Sequence, residues 1–586
     1  MNAVAPNDRL NRWAWPAAAG LASLPIVVAT ARAIGRGWAP IGDNALFLIR
    51  ARDVLTEHHP LLGTWTSASI SVGRNLNNPG PLYFDLLAAP AKIGGGAGLA
   101  VGAAALNVIC VTLAVWLGHR MAGAVGAAGV GLLASALGWS MGSELLFDPW
   151  QPHGLLFPVL LFFVAAWALM AGDGLALPLA VGTGSLLVQT HLSYSIIVPV
   201  VGAIAAAMAW RNPRSPGLTR RLVFVTAVVV GVCWGQSLWQ QVAGPGGGNL
   251  TAIASSVGAG TDPPVGLAQA GSLNAEILAT APWIGRPSFR DAFQPADLAA
   301  PVRDGKLALV GLPSPTLGWA ALLGLLLLTG ILGWRRHRAG DRVRSSGAVL
   351  GSLLLVLSLV TTAIVPITRL GLSAHQLRFL WPVFLIVAAT VSGSLLAEFG
   401  DVRLLAGSRV AVVGLLAASA AAAAALAPWN PMAGPAADSY AIPIVDRLAE
   451  GLDGLPAEPI LFDLTTQRFA EPYTTPLMAA LQERGVDFRV VDEGMVAQLG
   501  PARRATGRES SKIVVLEGDL ALSPPHASRR LSFVAGLNAA ERAELENLRG
   551  RILASPNVGM TARYLELEER WTRQTVGVFL VKVDAR

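Results

Sequence analysis

Runs of apolar residues long enough to cross a bilayer recur along most of this chain, beginning near Trp13, Leu99, Ala122, Leu155, Leu175, Ser195, Leu222, Leu317, Ala348, Leu380 and Val410. A hydrocarbon core of about 30 Å takes roughly 20 such residues as a helix, so the pattern predicts about eleven spans. With 53% hydrophobic and 14% charged residues and a mean hydropathy of +0.52, a soluble globular fold is excluded. The first run, Trp13 to Ala31, exceeds a secretory signal core and is expected to stay as an anchor.

The net charge of +7 would point to nucleic acid in a soluble chain. Here the arginines gather in short connections between spans, where positive charge sets orientation, and nucleic acid is discounted. Arg9 and Arg12 precede the first span. Arg120 follows the second; Arg211, Arg214, Arg220 and Arg221 follow the sixth; Arg335, Arg336, Arg338, Arg342 and Arg344 follow the eighth. All fall on one face if the spans alternate, and that face is expected to be cytoplasmic. Alternation requires Pro81 to Gly94, which holds Asp85, Pro90 and Lys92, to lie along or dip into the outer surface without crossing. Four lysines among 44 basic residues fit a GC-rich bacterial genome, so a bacterial plasma membrane is the expected location. Cys110 and Cys233 lie inside apolar runs and read as small buried hydrophobes.

After Pro428-Trp429-Asn430-Pro431 charged residues become frequent. Residues 1–428 are therefore read as a transmembrane catalytic domain and 429–586 as a soluble extracytoplasmic one. Strand-like runs at 459–462, 488–491, 512–516 and 576–583 alternate with helical patterns at Thr475 to Arg484 and Asn538 to Leu553, which predicts a small α/β fold.

The expected outer loops carry the titratable residues. The first holds Gly42-Asp43-Asn44-Ala45-Leu46-Phe47 and closes with Asn77-Asn78-Pro79-Gly80-Pro81-Leu82-Tyr83-Phe84. A second reads Glu144-Leu145-Leu146-Phe147-Asp148-Pro149-Trp150-Gln151-Pro152-His153, a third is the turn Gln189 to Tyr194, and a later one runs from Arg369 through His375 to Arg378-Phe379-Leu380-Trp381-Pro382. Polar groups at membrane depth are costly unless they face protein or water, so His191 and Tyr194 are expected to line a cavity.

An Asp soon after the first span, a helical stretch Ala45 to Arg52 and the Pro-rich approach Pro79 to Phe84 resemble the polytopic GT-C glycosyltransferases of the protein-mannosyltransferase and aminoarabinose-transferase type. The resemblance covers about residues 13 to 160 and returns near 375 to 385. It implies a GT-C-like helical membrane fold with about eleven spans, a polyprenyl-phosphate sugar as donor and an envelope glycan, lipid or protein as acceptor. Such a transfer needs a carboxylate to take the acceptor proton and cations to hold the departing phosphate. Asp43 is the expected base; its other reading is an N-cap for the helix that follows. The resemblance places a second acid at Asp148, ahead of Glu144, where with His153 it would bind acceptor or sugar or, with less support, a divalent cation; Asp148-Pro149 would also simply stop a helix. His191, Tyr194 and His375 are expected as further substrate contacts; the other reading of His191 is a satisfied structural histidine. Arg378 would face the carrier phosphate, with Arg369, Arg50, Arg52 and Arg74 as additional cations; Arg378 alternatively anchors at the head groups. Two departures stand out: Asn44 replaces a second acid, and Asn78 occupies the place of a phosphate-contacting lysine.

The competing class is a transporter or flippase of lipid-linked sugars. That reading predicts titratable groups near mid-membrane and paired broken helices, whereas here the acids cluster toward one face.

Overall fold

The computed structural model describes residues 6–211, 220–244, 247–278, 315–367, 372, 374–399, 409–429, 439–456, 458–467, 471–554 and 558–583. The protein is a polytopic α-helical membrane protein with a small α/β domain toward its C-terminus. Among the described residues seven helices are long and apolar enough to cross a membrane, and Ala176–Thr190, Tyr194–Trp210 and Arg409–Ala425 are shorter apolar helices. Each expected span start falls in or beside one of these ten. The chain divides into two compact units, Met1–Arg36 with Leu61–Pro90 and Gly98–Ala436, and Gly37–Pro60 with Ala91–Ala97 and Ala437–Arg586.

Helical residues continue from Leu82 to Leu145, all but Ala91–Ala97 in the first unit, and left-handed backbone at Gly95, Gly123 and Gly142 redirects the path. A Cβ on Gly126 would lie 2.1 Å from the Gly118 carbonyl oxygen, so the chain doubles back at Gly123 with its two arms in backbone contact. One long helix thus supplies the second and third expected spans. At Gly102 a Cβ would meet the Pro90 ring at 2.7 Å, which shows a second reversal around Gly95. The arm from Leu82 to Gly94 is too short to cross about 30 Å at about 1.5 Å per residue.

Hydrogen bonds within this unit join connections two spans apart. Arg120 pairs bidentately with Asp173 at 2.5 and 3.0 Å. Arg335 and Arg336 both reach Glu398. At the other end of the bundle, Asn78, Gln151 and the His191 turn are tied together, as described below. The chain therefore leaves the Leu82–Gly94 arm at the same end from which it entered, as an alternating set of spans requires. Small residues allow the close approach: Ala14, Ala128 and Val412 form one cluster joining the first, third and last spans.

The second unit is built on a five-stranded sheet of order β2-β1-β3-β5-β4, with β1 Ile460–Asp463, β2 Phe488–Arg489, β3 Ser511–Glu517, β4 Ser528–Val534 and β5 Val576–Lys582. β1 is parallel to β2 and β3, while β5 runs antiparallel to β3 and β4. Four strands fall where alternation predicts them. β4 was not expected: it is an edge strand whose Arg529 and Arg530 are exposed and whose register shifts between Arg530 and Ser532. The helices Ala539–Ala554 and Val558–Gln574 pack through Leu545, Leu548, Leu567 and Trp571. The helix Asp43–Asp53 belongs to this same unit and lies against the helix Thr474–Glu483.

Candidate functional site

Leu146 to Trp150 connects the Leu82–Leu145 helix to the short turn Gln151–Gly154, which Pro152 opens. Four residues separate Asp148 from His153, and the intervening turn brings them into contact: His153 Nδ1 bonds Asp148 Oδ2, both side chains being buried. Gly154 leaves room for the Tyr83 side chain, whose hydroxyl a Cβ there would overlap. On the far side of the ring, Nε2 of His153 bonds Nη1 of Arg378, in the turn preceding the Leu380–Phe399 helix.

Chemistry assigns the protons. A guanidinium only donates, so His153 Nε2 accepts and its Nδ1–H donates to the Asp148 carboxylate. Asp148, neutral His153 and Arg378 are thus one buried relay with a carboxylate at one end and a cation at the other. Burial pushes the Arg378 guanidinium down to about 10, against the opposing pull of Asp148, and it stays charged at neutral pH. Its Cζ also lies 5.6 Å from the centre of the Trp381 ring. Trp150 stands between two imidazoles, with ring centres 4.9 Å from His153 and 4.7 Å from His375. Burial, with lesser contributions from His153, Arg378 and His191, pushes His375 down to about 3, so it is neutral under physiological conditions.

A polar lattice surrounds the relay. Asn78 is buried and donates through Nδ2 to Thr64 Oγ1 at 2.8 Å and Thr64 O at 3.1 Å, while its Oδ1 accepts from the Leu192 amide at 3.0 Å. Gln151 donates to the same Thr64 hydroxyl at 3.1 Å. Asn78 thus ties its own loop to the turn at Leu192, and Gln151 joins the same network through Thr64. A lysine at this position could not accept the Leu192 amide, which gives the departure at residue 78 a structural reason. Nearby, Gly80 sits where a Cβ would be 2.1 Å from Gln189 Oε1 and 2.3 Å from Ser237 Oγ. His191 Nδ1 lies 2.5 Å from Ser193 Oγ, and the buried Tyr194 ring is 6.2 Å from His191. Glu144 is half-buried in the last helical turn before Leu146, and Arg74 is exposed with Nη1 3.2 Å from Ser255 Oγ. Arg369 lies outside the described residues.

Asp43 belongs to the other unit. Gly42, at φ 57°, takes the N-cap position, and Asp43 is the first residue of its helix, where a carboxylate favours the positive end of the helix dipole. Every residue from Asn44 to Asp53 except Arg52 is buried, whereas Asp43 is exposed. The buried position of Asn44 suits an amide better than the second acid of the GT-C pattern. Arg52 pairs with Glu483 at 3.0 Å, and Arg50 is buried against Asp53 at 2.9 Å. Both guanidiniums are thus engaged within this unit.

Sequence reasoning missed the group that holds this helix. Asp53 accepts from Arg50, from Arg503 at 3.3 Å and from Gln482 at 2.8 Å, and Arg503 also reaches Asp487 at 3.1 Å. The i,i+3 spacing of Arg50 and Asp53 signalled an intrahelical pair; nothing local signalled Arg503. Among the described residues no three His, Cys, Asp or Glu side chains are grouped to hold a metal ion.

No family profile matches the chain, and no sequence among curated proteins does. Among solved structures, ArnT from Cupriavidus metallidurans bound to undecaprenyl phosphate is similar at 13% identity and a TM-score of 0.42, over 83% of this chain and 94% of that one. The Archaeoglobus fulgidus oligosaccharyltransferase tethered with an acceptor peptide is similar at 11% identity and a TM-score of 0.39, over 84% of this chain and 68% of that one. Likeness at these values assigns neither a substrate nor a residue's role.

Proposed function

We propose that this protein is an integral-membrane glycosyltransferase of the GT-C type that moves a sugar from a polyprenyl-phosphate donor to an extracytoplasmic glycan, lipid or protein. The observation that carries the reading is the buried Asp148–His153–Arg378 relay at the approach to a late span. Burying a guanidinium in an apolar bundle is costly, and a relay that fixes its direction suits a group that meets a phosphate at the membrane surface. In this role Asp148 and His153 orient Arg378, which differs from direct contact with acceptor or sugar.

The acceptor hydroxyl attacks the anomeric carbon as the bond to the phosphate oxygen breaks. The electron pair leaves with the polyprenyl phosphate, held by Arg378, and the hydroxyl proton passes to the Asp43 carboxylate. A single displacement inverts the anomeric centre. Arabinofuranose and mannose are the sugars proposed for an envelope-building bacterium, with the Arg-rich connections cytoplasmic and the C-terminal α/β domain outside.

The test is turnover of radiolabelled polyprenyl-phosphate arabinofuranose and mannose by purified protein with a panel of envelope glycans. Wild-type transfer that is lost in Arg378→Ala and Asp43→Asn supports the reading. Transfer absent with every donor, together with movement of lipid-linked sugar across vesicles, replaces it with a flippase.

A further inference from the structure

We infer that the C-terminal α/β domain is the frame that positions Asp43, with Thr475, Gln482 and Arg503 as positioning residues; this rests on the proposed role of Asp43 as the base. The helices Asp43–Asp53 and Thr474–Glu483 meet in parallel register. Thr475 Oγ1 donates to the Gly42 carbonyl at 2.7 Å, and seven residues later Gln482 Nε2 donates to the Ile49 carbonyl at 3.2 Å. A step of seven residues is two helical turns on either helix, so the two contacts repeat on matching faces. The first falls on the residue directly before Asp43.

The distal end of the helix is held more strongly. Gln482 and Arg503 both reach Asp53 Oδ1, Arg50 bonds the Leu499 carbonyl, and Arg503 is tied to Asp487 at the start of β2. Arg503 and Asp53 side chains are only 3% and 2% exposed, which removes the screening that makes surface pairs weak. Lys92 adds a bond to the Val54 carbonyl, just past the helix end. The helix is gripped at the carbonyl before Asp43 and at the carboxylate ten residues after it, and the exposed Asp43 is the residue that this grip presents. A general base acts only when its oxygen is held within hydrogen-bond reach of the acceptor, and a displacement of about 1 Å costs on the order of 100-fold in rate.

The experiment compares Thr475→Val, Thr475→Ser, Arg503→Met and Arg503→Lys in the full-length protein, with Arg563→Ala in an exposed pair of the same domain as the control. Turnover of the radiolabelled donors is read alongside hydrogen exchange of the Asn44–Asp53 amides. Thr475→Val and Arg503→Met are expected to lower kcat by about 10- to 100-fold with little change in the donor KM, and to speed exchange of those amides. Thr475→Ser and Arg503→Lys restore part of both, and Arg563→Ala changes neither. Variants that turn over at the wild-type rate while Asp43→Asn is inactive overturn the frame and leave the base intact. If Asp43→Asn keeps wild-type turnover, the base assignment fails, and the frame loses its purpose with it. Unchanged amide exchange in both Thr475→Val and Arg503→Met overturns the frame whichever donor is used.

Discussion

Asp53 accepts a hydrogen bond from Arg503 across 3.3 Å, although the two lie 450 positions apart in the chain. Both side chains are almost wholly buried, so neither charge has water to fall back on. Arg503→Met removes one partner and leaves the Asp53 and Asp487 carboxylates short of a cation. The expected cost is about 3 kcal/mol, measured as a lower unfolding midpoint in detergent, whereas Arg563→Ala leaves the midpoint where it is.

The relay predicts a hierarchy among its members. Arg378→Ala is expected to weaken binding of a short-chain polyprenyl phosphate by about 10- to 100-fold, the worth of a charge-assisted hydrogen bond. Arg378→Lys should not restore it, because a lysine cannot bond His153 and phosphate in the same fork. His153→Phe keeps the ring beside Trp150 but removes both nitrogen contacts, and a smaller loss of affinity is expected. Titration calorimetry in detergent checks the order.

His375 gives a pH signature. Its folded value of about 3 lies below the ordinary histidine value of about 6.5, so between these limits the unfolded chain binds a proton that the folded chain does not. Stability from this residue is full above about pH 6.5 and falls as the pH drops toward 3. From pH 7 to 5 the loss is about 2 kcal/mol. His375→Phe, which keeps a ring against Trp150, should flatten that part of the curve of unfolding midpoint against pH.

The reversal at Gly123 depends on the absence of side chains. Gly126→Ala would set a methyl 2.1 Å from the Gly118 carbonyl oxygen, which is backbone and cannot rotate away. The arms must separate, at a cost of about 1–3 kcal/mol. A lower unfolding midpoint and a smaller monodisperse fraction in size-exclusion chromatography are the expected results.

The membrane architecture was legible because apolar length is a direct consequence of bilayer thickness, and the expected spans fall on seven long and three shorter apolar helices among the described residues, the second and third sharing one. The reversals at Gly95 and Gly123 were less legible, since glycine is abundant throughout the chain and only its φ reveals a turn. β4 was hidden by Arg529 and Arg530, which an edge strand tolerates and an alternation test rejects. Asp148, His153 and Arg378 stood out singly as ionisable residues beside spans, but their contact depends on helix packing over 225 positions. The place of Asp43–Asp53 beside Thr474–Glu483 had no local signal, because its partners are supplied by tertiary pairing alone. Asn78 read as a missing cation, and its hydrogen bonds show it fastening its own loop to the turn at Leu192.

The discontinuous second unit also sets an order of events during synthesis. Gly37–Pro60 leaves the ribosome before most of the bundle, and Ala437–Arg586 after it. At about 5–20 residues per second, the interval between them is on the order of tens of seconds. Throughout it Asp53 has Arg50 as a neighbour but neither Arg503 nor Gln482. Completion of this unit therefore waits until the intervening bundle helices have been synthesised.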